Sequence, residues 1–305
     1  MRARVLDKIL SFFEGPWARL LMFPALAFMG IFILFPLVWS VYLSFTNYRL
    51  TGPEAVNYTF VGLKNYLKLF KDSEFLDAIR NSFVFTFLSA LVGQTVLGLG
   101  LALVARMKEP EGVLGKVLKI LKIVTITVVF ISWVIPEVVA GYAWISLTET
   151  GGFFSTLFMG PAKSFKFEHP METIIIANIW RGTAFSMILF IAALESIPSY
   201  IYEAAEIDGA TPWQRFRYVI LPLLSGAILV DLILITIWTF GLFTLVYIIL
   251  GVPFRTMHWT IYVYYKGIDR YNVSLASAAS NIMFLIVLAL IVSYLVLMRK
   301  LRRWG

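Results

Sequence analysis

The sequence contains no cysteine and only two histidines, His169 and His258, far apart in its 305 residues. Disulfides and thiolate metal sites are excluded, and a histidine-based metal centre lacks ligands. Charge is scarce as well: Asp, Glu, Lys and Arg make up 14% of the chain, where soluble domains carry about a quarter. The little charge present leans basic, 26 Lys and Arg against 18 Asp and Glu. No basic run with interleaved aromatics lies outside the apolar segments, so nucleic acid is not an expected partner. A Gly-x-x-x-x-Gly-Lys-Ser/Thr loop is missing; residues 112–116 resemble one superficially, with the wrong spacing. Without that loop the chain has no cradle for nucleotide phosphates, and no cofactor of its own is expected. Nor is there a Ser/His/Asp set or a carboxylate cluster near a histidine, which leaves a membrane-embedded enzyme without catalytic groups.

What the chain has is apolar length. It is 60% hydrophobic, with a mean hydropathy of +0.83. Six runs match or exceed the roughly 20 residues that cross a bilayer: residues 20–45, 81–104, 123–147, 173–194, 223–250 and 274–298. The expected fold is an all-α integral membrane protein with six transmembrane helices. The first run is too long for a signal peptide and no small-residue cleavage site follows it, so it reads as a retained span. Residues 47–80 read as short amphipathic helices at the outer surface. The third run is interrupted by Pro136-Glu137. Gly93, Gly98 and Gly100 would admit a close neighbour to the second helix, and the small residues 274–281 would do so for the sixth. With six spans both ends share a side. That side holds 15 basic residues against 10 opposite, which places both termini in the cytoplasm.

Three ionisable residues fall inside the runs: Glu137, Arg181 and Asp231. Each costs about 2.5–3.5 kcal/mol at a helix centre on insertion scales, so each should face protein or a water-filled cavity. Glu137, beside Pro136, is expected to satisfy backbone donors freed at a kink. Arg181 and Asp231 lie at depths that permit either a structural pair or the lining of a substrate path. Phe240, Phe243 and Tyr247 share one stripe of the fifth run, Asp231 and Trp238 another. Arg181, Asp231, Thr236, Trp238 and Asn281 are the candidates for a substrate path.

Between the fourth and fifth runs lies a polar stretch, residues 196–222. Pro198 suits the first turn of a helix, and Ile201, Ala204, Ala205 and Asp208 then recur on one face. Gly209 permits the left-handed residue that ends a helix. Thr211 can cap a second helix, with Pro212 at its first position and Pro222 near its end. The result is a short helix on a tight turn, shaped to dock in a partner's groove.

These residues carry a family resemblance. Glu203-Ala204-Ala205, three residues, Gly209, nine residues, then Val219-Ile220-Leu221-Pro222 is similar to the cytoplasmic signature loop of ABC importer permeases, which usually have Ile at the position of Val219. Gly62-Leu63-Lys64-Asn65-Tyr66 resembles the same segment of the maltose- and glycerol-phosphate-type branch, in the first of two non-identical permeases. The resemblance implies the type I importer permease fold, with an inner tail (1–19), a first span and outer segment (20–80), a five-helix core (81–298) carrying the loop 196–222, and a basic tail (299–305). It implies that Glu203, Ala204, Ala205, Asp208 and Gly209 couple the chain to an ATPase. It further implies a second permease, two ATPase subunits holding ATP and Mg, an extracytoplasmic solute-binding protein, membrane lipid as solvent, and a prokaryotic cytoplasmic membrane. The implied substrate is a sugar or related polyol, with glycerol phosphate as an alternative; the usual Gly-Gly-Pro turn after the fifth span stands here as Gly251-Val252-Pro253. A stand-alone secondary transporter or channel remains the rival, although no inverted repeat is visible.

Overall fold

Where apolar length meets proline and glycine, the chain breaks into more helices than hydropathy alone divides it into. The computed structural model describes residues 16–107, 109–252 and 256–301. Arg2, Arg4, Lys8, Lys108, Pro253, Arg302 and Arg303 lie outside the described residues. The first span is α1 (Met22–Ser44). The second, α2 (Ser73–Arg106), starts where the Asp72 side chain accepts from the backbone N–H of Glu74 at 3.0 Å, an N-cap that satisfies an orphan donor. Residues 73–80, expected at the outer surface, thus belong to the same helix as the second span. α3 (Val113–Val134) begins ten residues before the apolar run, because Lys116, Lys119 and Lys122 end the apolar stretch without breaking a helix. It stops before Ile135, which Pro136 holds extended. α4 (Glu137–Thr148) follows, so the expected third span is two helices.

The long central helix α5 (Pro170–Glu195) leads to α6 (Ser199–Ile207). Next come α7 (Pro212–Leu223) and α8 (Ser225–Phe240), which meet at a 65° bend. The expected fifth span does not continue past Gly241; α9 (Thr244–Leu250) is a separate short helix. The aromatic stripe of the fifth run divides accordingly. Phe240 packs edge-on to Phe83, while Phe243 stacks on Tyr247 at 5.0 Å. After α10 (Trp259–Tyr264), α11 (Val273–Leu301) ends the described chain. Among the described residues five helices are long and apolar enough to cross a membrane, or six if the bent pair is counted as one span.

The chain divides into two units. One holds the residues up to Lys71 together with Lys266–Ile282. Here the Gly-Leu-x-Asn-Tyr segment has a local task. Gly62 takes φ +59°, and the Asn65 carboxamide donates to the carbonyls of Ser44 (2.8 Å) and Thr46 (2.7 Å). Tyr66 Oη lies 2.8 Å from Ser44 Oγ. The Asn65 carboxamide thus takes up carbonyls left open at the end of α1. Thr46 Oγ1 and Ser274 Oγ, 2.9 Å apart, tie this segment to the start of α11.

The other unit runs from Asp72 to Tyr265 and resumes at Met283. Its core is the α2–α5 contact. A Cβ on Gly98 would stand 2.5 Å from Ser186 Cβ and 2.9 Å from the Met187 nitrogen, so only glycine lets the backbones approach this far. Gly93 meets Ile179 in the same way, whereas Gly100 has open space and makes no such contact. His258 is 1% exposed, its ring edge-on to Phe85 at 5.2 Å. Nδ1 meets Thr260 Oγ1 at 2.9 Å, and Nε2 has no partner among the described residues.

Burial pushes the His258 imidazole down from 6.5 to about 3. Between those values the unfolded chain binds a proton that the folded chain refuses. Stability therefore falls as the pH drops through this window, by up to about 1.4 kcal/mol per pH unit. His258→Asn is expected to remove this contribution. Thermal unfolding in detergent at about pH 7 and about pH 5 checks it: the midpoint should fall with acid more steeply for the wild type than for the variant.

Candidate functional site

Two places in the second unit carry most of the candidate residues. The first is the polar turn. α6 ends in a Schellman motif: the Ala210 N–H donates to the Ala205 carbonyl at 3.0 Å and the Gly209 N–H to the Glu206 carbonyl at 3.1 Å, with Gly209 at φ +72°. That closure requires a left-handed residue, as the sequence suggests. α7 opens with a capping box between Thr211 and Gln214 and with Pro212 at its first position. Arg215 Nη1 lies 3.8 Å from Glu206 Oε2 across the turn.

The face expected from spacing is divided. Ala205 is buried, and Ile201 is half-buried against a cluster of Ala102, Phe190, Leu194, Ile197 and Leu224. Glu203, Ala204, Asp208 and Gly209 are exposed. Large apolar side chains are presented outward as well, Ile207 at 86%, Tyr218 at 70%, Tyr200 at 66% and Trp213 at 63% exposure. α2 holds the turn from below through Arg106. Its Nη1 donates to the Leu194 carbonyl and to Tyr202 Oη at 2.9 Å, and its guanidinium sits 4.3 Å over the Tyr202 ring. Arg106, Glu203 and Glu206 face a cavity of about 700 Å³. By charge alone Arg106 is one of the basic residues of the cytoplasmic side; its place as the last residue of α2, near open carbonyls of helix ends, was the available signal.

The second place is a cavity of about 480 Å³ whose walls include Gln94, Trp133, Glu137, Arg181, Phe185 and Trp238. Arg181 lies about 21 Å along α5 from its C-terminal end. It does not pair with Asp231. Its Nη1 is 3.3 Å from Glu137 Oε1, so Glu137 is an ion partner rather than a filler of kinked backbone. Asp231 is fully buried and accepts from Ser186 Oγ at 2.8 Å and Thr95 Oγ1 at 3.1 Å, binding α8 to α5 and α2. Ser186 is five residues beyond Arg181, about 140° round the helix. Matching depth therefore does not bring Arg181 to Asp231.

Trp238 lines the cavity and is 49% exposed, while Asp231 does not line it. Thr236 is buried, its Oγ1 3.2 Å from Tyr294 Oη, in a helix contact. Asn281 belongs to the first unit, and its Nδ2 is buried without a partner among the described residues.

Beside Arg181 and Trp238, the cavity draws polarity and aromaticity from positions not singled out as path residues. Gln94 closes a π-helical stretch, Thr86–Gln94, a local distortion common at functional sites. Its Nε2 donates to the Asn178 carbonyl at 3.1 Å, and a Cβ on Gly182 would collide with its carboxamide. Phe185 meets Trp238 edge-on at 4.7 Å and Trp133 at 6.1 Å. Such walls, apolar rings with a few fixed polar groups, suit a small solute bearing both faces and hydroxyls. Gln94 and Asn178, carboxamides in otherwise apolar runs, were the visible signal.

Comparison with known proteins gives consistent matches. Residues 94–304 match the family model described as binding-protein-dependent transport system inner membrane component. A probable ABC transporter permease of Pyrococcus horikoshii is 30% identical over 288 residues, 92% of this chain and 94% of its own length. The trehalose/maltose transport system permease of Thermococcus litoralis is 29% identical over 94% of this chain and 95% of its own length. In the crystal structure of a bacterial alginate ABC transporter in complex with an alginate pentasaccharide-bound periplasmic protein, one chain superposes with a TM-score of 0.73. It covers 98% of both chains at 20% identity, a likeness of fold.

Proposed function

This chain belongs to the family of binding-protein-dependent transport system inner membrane components, and from that premise we propose that it translocates a sugar or related polyol across the cytoplasmic membrane. The cavity around Arg181 and Trp238 is the observation that carries the reading. Its aromatic planes offer stacking surfaces and its charged and amide groups offer hydrogen bonds to hydroxyls, the combination a saccharide needs. The naming of a relative as a trehalose/maltose permease supports the same substrate class.

The energy comes from outside the chain. Two ATPase subunits, with ATP and Mg, bind at the cytoplasmic turn, and an extracytoplasmic solute-binding protein delivers substrate to this chain and a second permease. Both termini and the turn face the cytoplasm, in keeping with the bias of basic residues. Glu203, Ala204, Ala205, Asp208 and Gly209 form the coupling element. Ile207, Tyr200 and Trp213, apolar and strongly exposed, form the patch that the ATPase covers, since apolar groups of this size in water mark a contact site.

Uptake of radiolabelled maltose into proteoliposomes containing the assembled importer tests the substrate site. Trp238→Ala is expected to reduce uptake about tenfold, the loss typical when a central aromatic is truncated, with the ATPase subunits still bound. Unchanged uptake would remove Trp238 from the path. Uptake by this chain without ATPase subunits would overturn the reading as a whole.

A further inference from the structure

The wall of the 480 Å³ cavity holds one base and one acid. Among its described lining residues Arg181 is the sole cation and Glu137 the sole carboxylate. They come from different helices, Arg181 from the middle of α5 and Glu137 from the first position of α4. Pro136 sets that position by ending the preceding helix, and a carboxylate is favoured in a first turn by the helix dipole. The contact between them runs from Arg181 Nη1 to Glu137 Oε1 at 3.3 Å. Arg181 Nε is buried without a partner among the described residues, so Glu137 does not exhaust the donors of the guanidinium. The side chains remain 20% and 31% exposed. The cation is neutralised and still within reach of a solute.

A lone guanidinium in a cavity of low dielectric is a strong receptor for carboxylate or phosphate, because it fits both geometrically and is weakly screened there. A fixed carboxylate beside it occupies that role and repels a second anion. We infer that Glu137 is a specificity-determining residue that makes the cavity electroneutral, so that it accepts uncharged saccharides and turns away uronates and phosphorylated polyols. Arg181, already matched in charge, then serves hydroxyl groups as a hydrogen-bond donor. This rests on the saccharide reading above and narrows it.

The test uses the importer assembled with its second permease and ATPase subunits in lipid nanodiscs, without the solute-binding protein, whose own selectivity would mask the effect. The probes are maltose and its counterpart with one hydroxymethyl group oxidised to a carboxylate, a pair differing by one charge. The wild type is expected to bind maltose at least tenfold more tightly. Glu137→Gln should reverse the order in favour of the uronate, and Glu137→Gln with Arg181→Gln should restore preference for maltose. If Glu137→Gln does not fold, Arg181→Gln alone should sharpen the wild type's rejection of the uronate. An unchanged ratio in a folded Glu137→Gln protein, or equal binding of both probes by Arg181→Gln, would overturn the charge filter while leaving the saccharide reading in place. Binding of neither probe by the wild type would bring down both.

Discussion

Replacing Gly209 by valine is expected to leave an importer that inserts, assembles and hydrolyses ATP but delivers little substrate. The glycine closes α6 at φ +72°, in a Schellman pair with the carbonyls of Ala205 and Glu206. A β-branched residue at such an angle costs about 1–3 kcal/mol, enough to move the turn away from this closure. Nothing lies within 4 Å of the position a Cβ would take, so the effect is backbone strain and not collision with a neighbour. That distinction sets the control. Asparagine, which tolerates left-handed backbone, should retain most coupling, with alanine between the two. The measurement is substrate delivered per ATP hydrolysed in proteoliposomes. Valine should lower this ratio at least tenfold, in line with a penalty above about 1.4 kcal/mol. A valine variant with a normal ratio would dissociate this turn from energy transfer.

The second large effect is expected at Arg106. Its guanidinium joins the last turn of α5, through the Leu194 carbonyl, to α6, through the hydroxyl and ring of Tyr202. Hydrogen bonds from a charged donor contribute about 1.5–3 kcal/mol each, and removal of this side chain reopens a helix-end carbonyl as well. Arg106→Ala should lower the unfolding midpoint and reduce maltose uptake about tenfold, because α6 loses its tether while its exposed face is intact. Tyr202→Phe keeps the ring under the cation and loses one hydrogen bond, so its effect should be the smaller. Arg106→Lys is not a conservative exchange at a stacked, forked site and should rescue poorly. Equal stability and uptake for Arg106→Ala and the wild type would show that α6 is held by the apolar cluster alone.

Apolar length was legible in the sequence because hydropathy measures it directly; residues 20–45 and Met22–Ser44 nearly coincide. Helix ends were less so. Lysines at 116, 119 and 122 end an apolar run but continue a helix, and the break at Gly241 has no proline to announce it. In the turn, Gly209, Thr211 and Pro212 declare their positions because each is tied to one backbone geometry. The side-chain partners were harder to see. Depth along a span is readable from residue count, whereas azimuth depends on how neighbouring helices are rotated, and this is why Ser186 rather than Arg181 meets Asp231. The cavity follows the same rule: Trp133, Glu137 and Arg181 converge from three helices whose mutual rotation no local pattern encodes.

The joint between α7 and α8 has a mechanical consequence. A single residue, Leu224, 1% exposed, separates the two helices at their 65° bend, leaving no slack chain to absorb a push. α7 is then a crank about 18 Å long set on a clamped pivot. A swing of about 10° displaces its free tip by about 3 Å at that length, and the same rotation, passed to α8, would turn Trp238 against the cavity wall. Small strokes at the rim can be geared in this way into a reshaping of the interior.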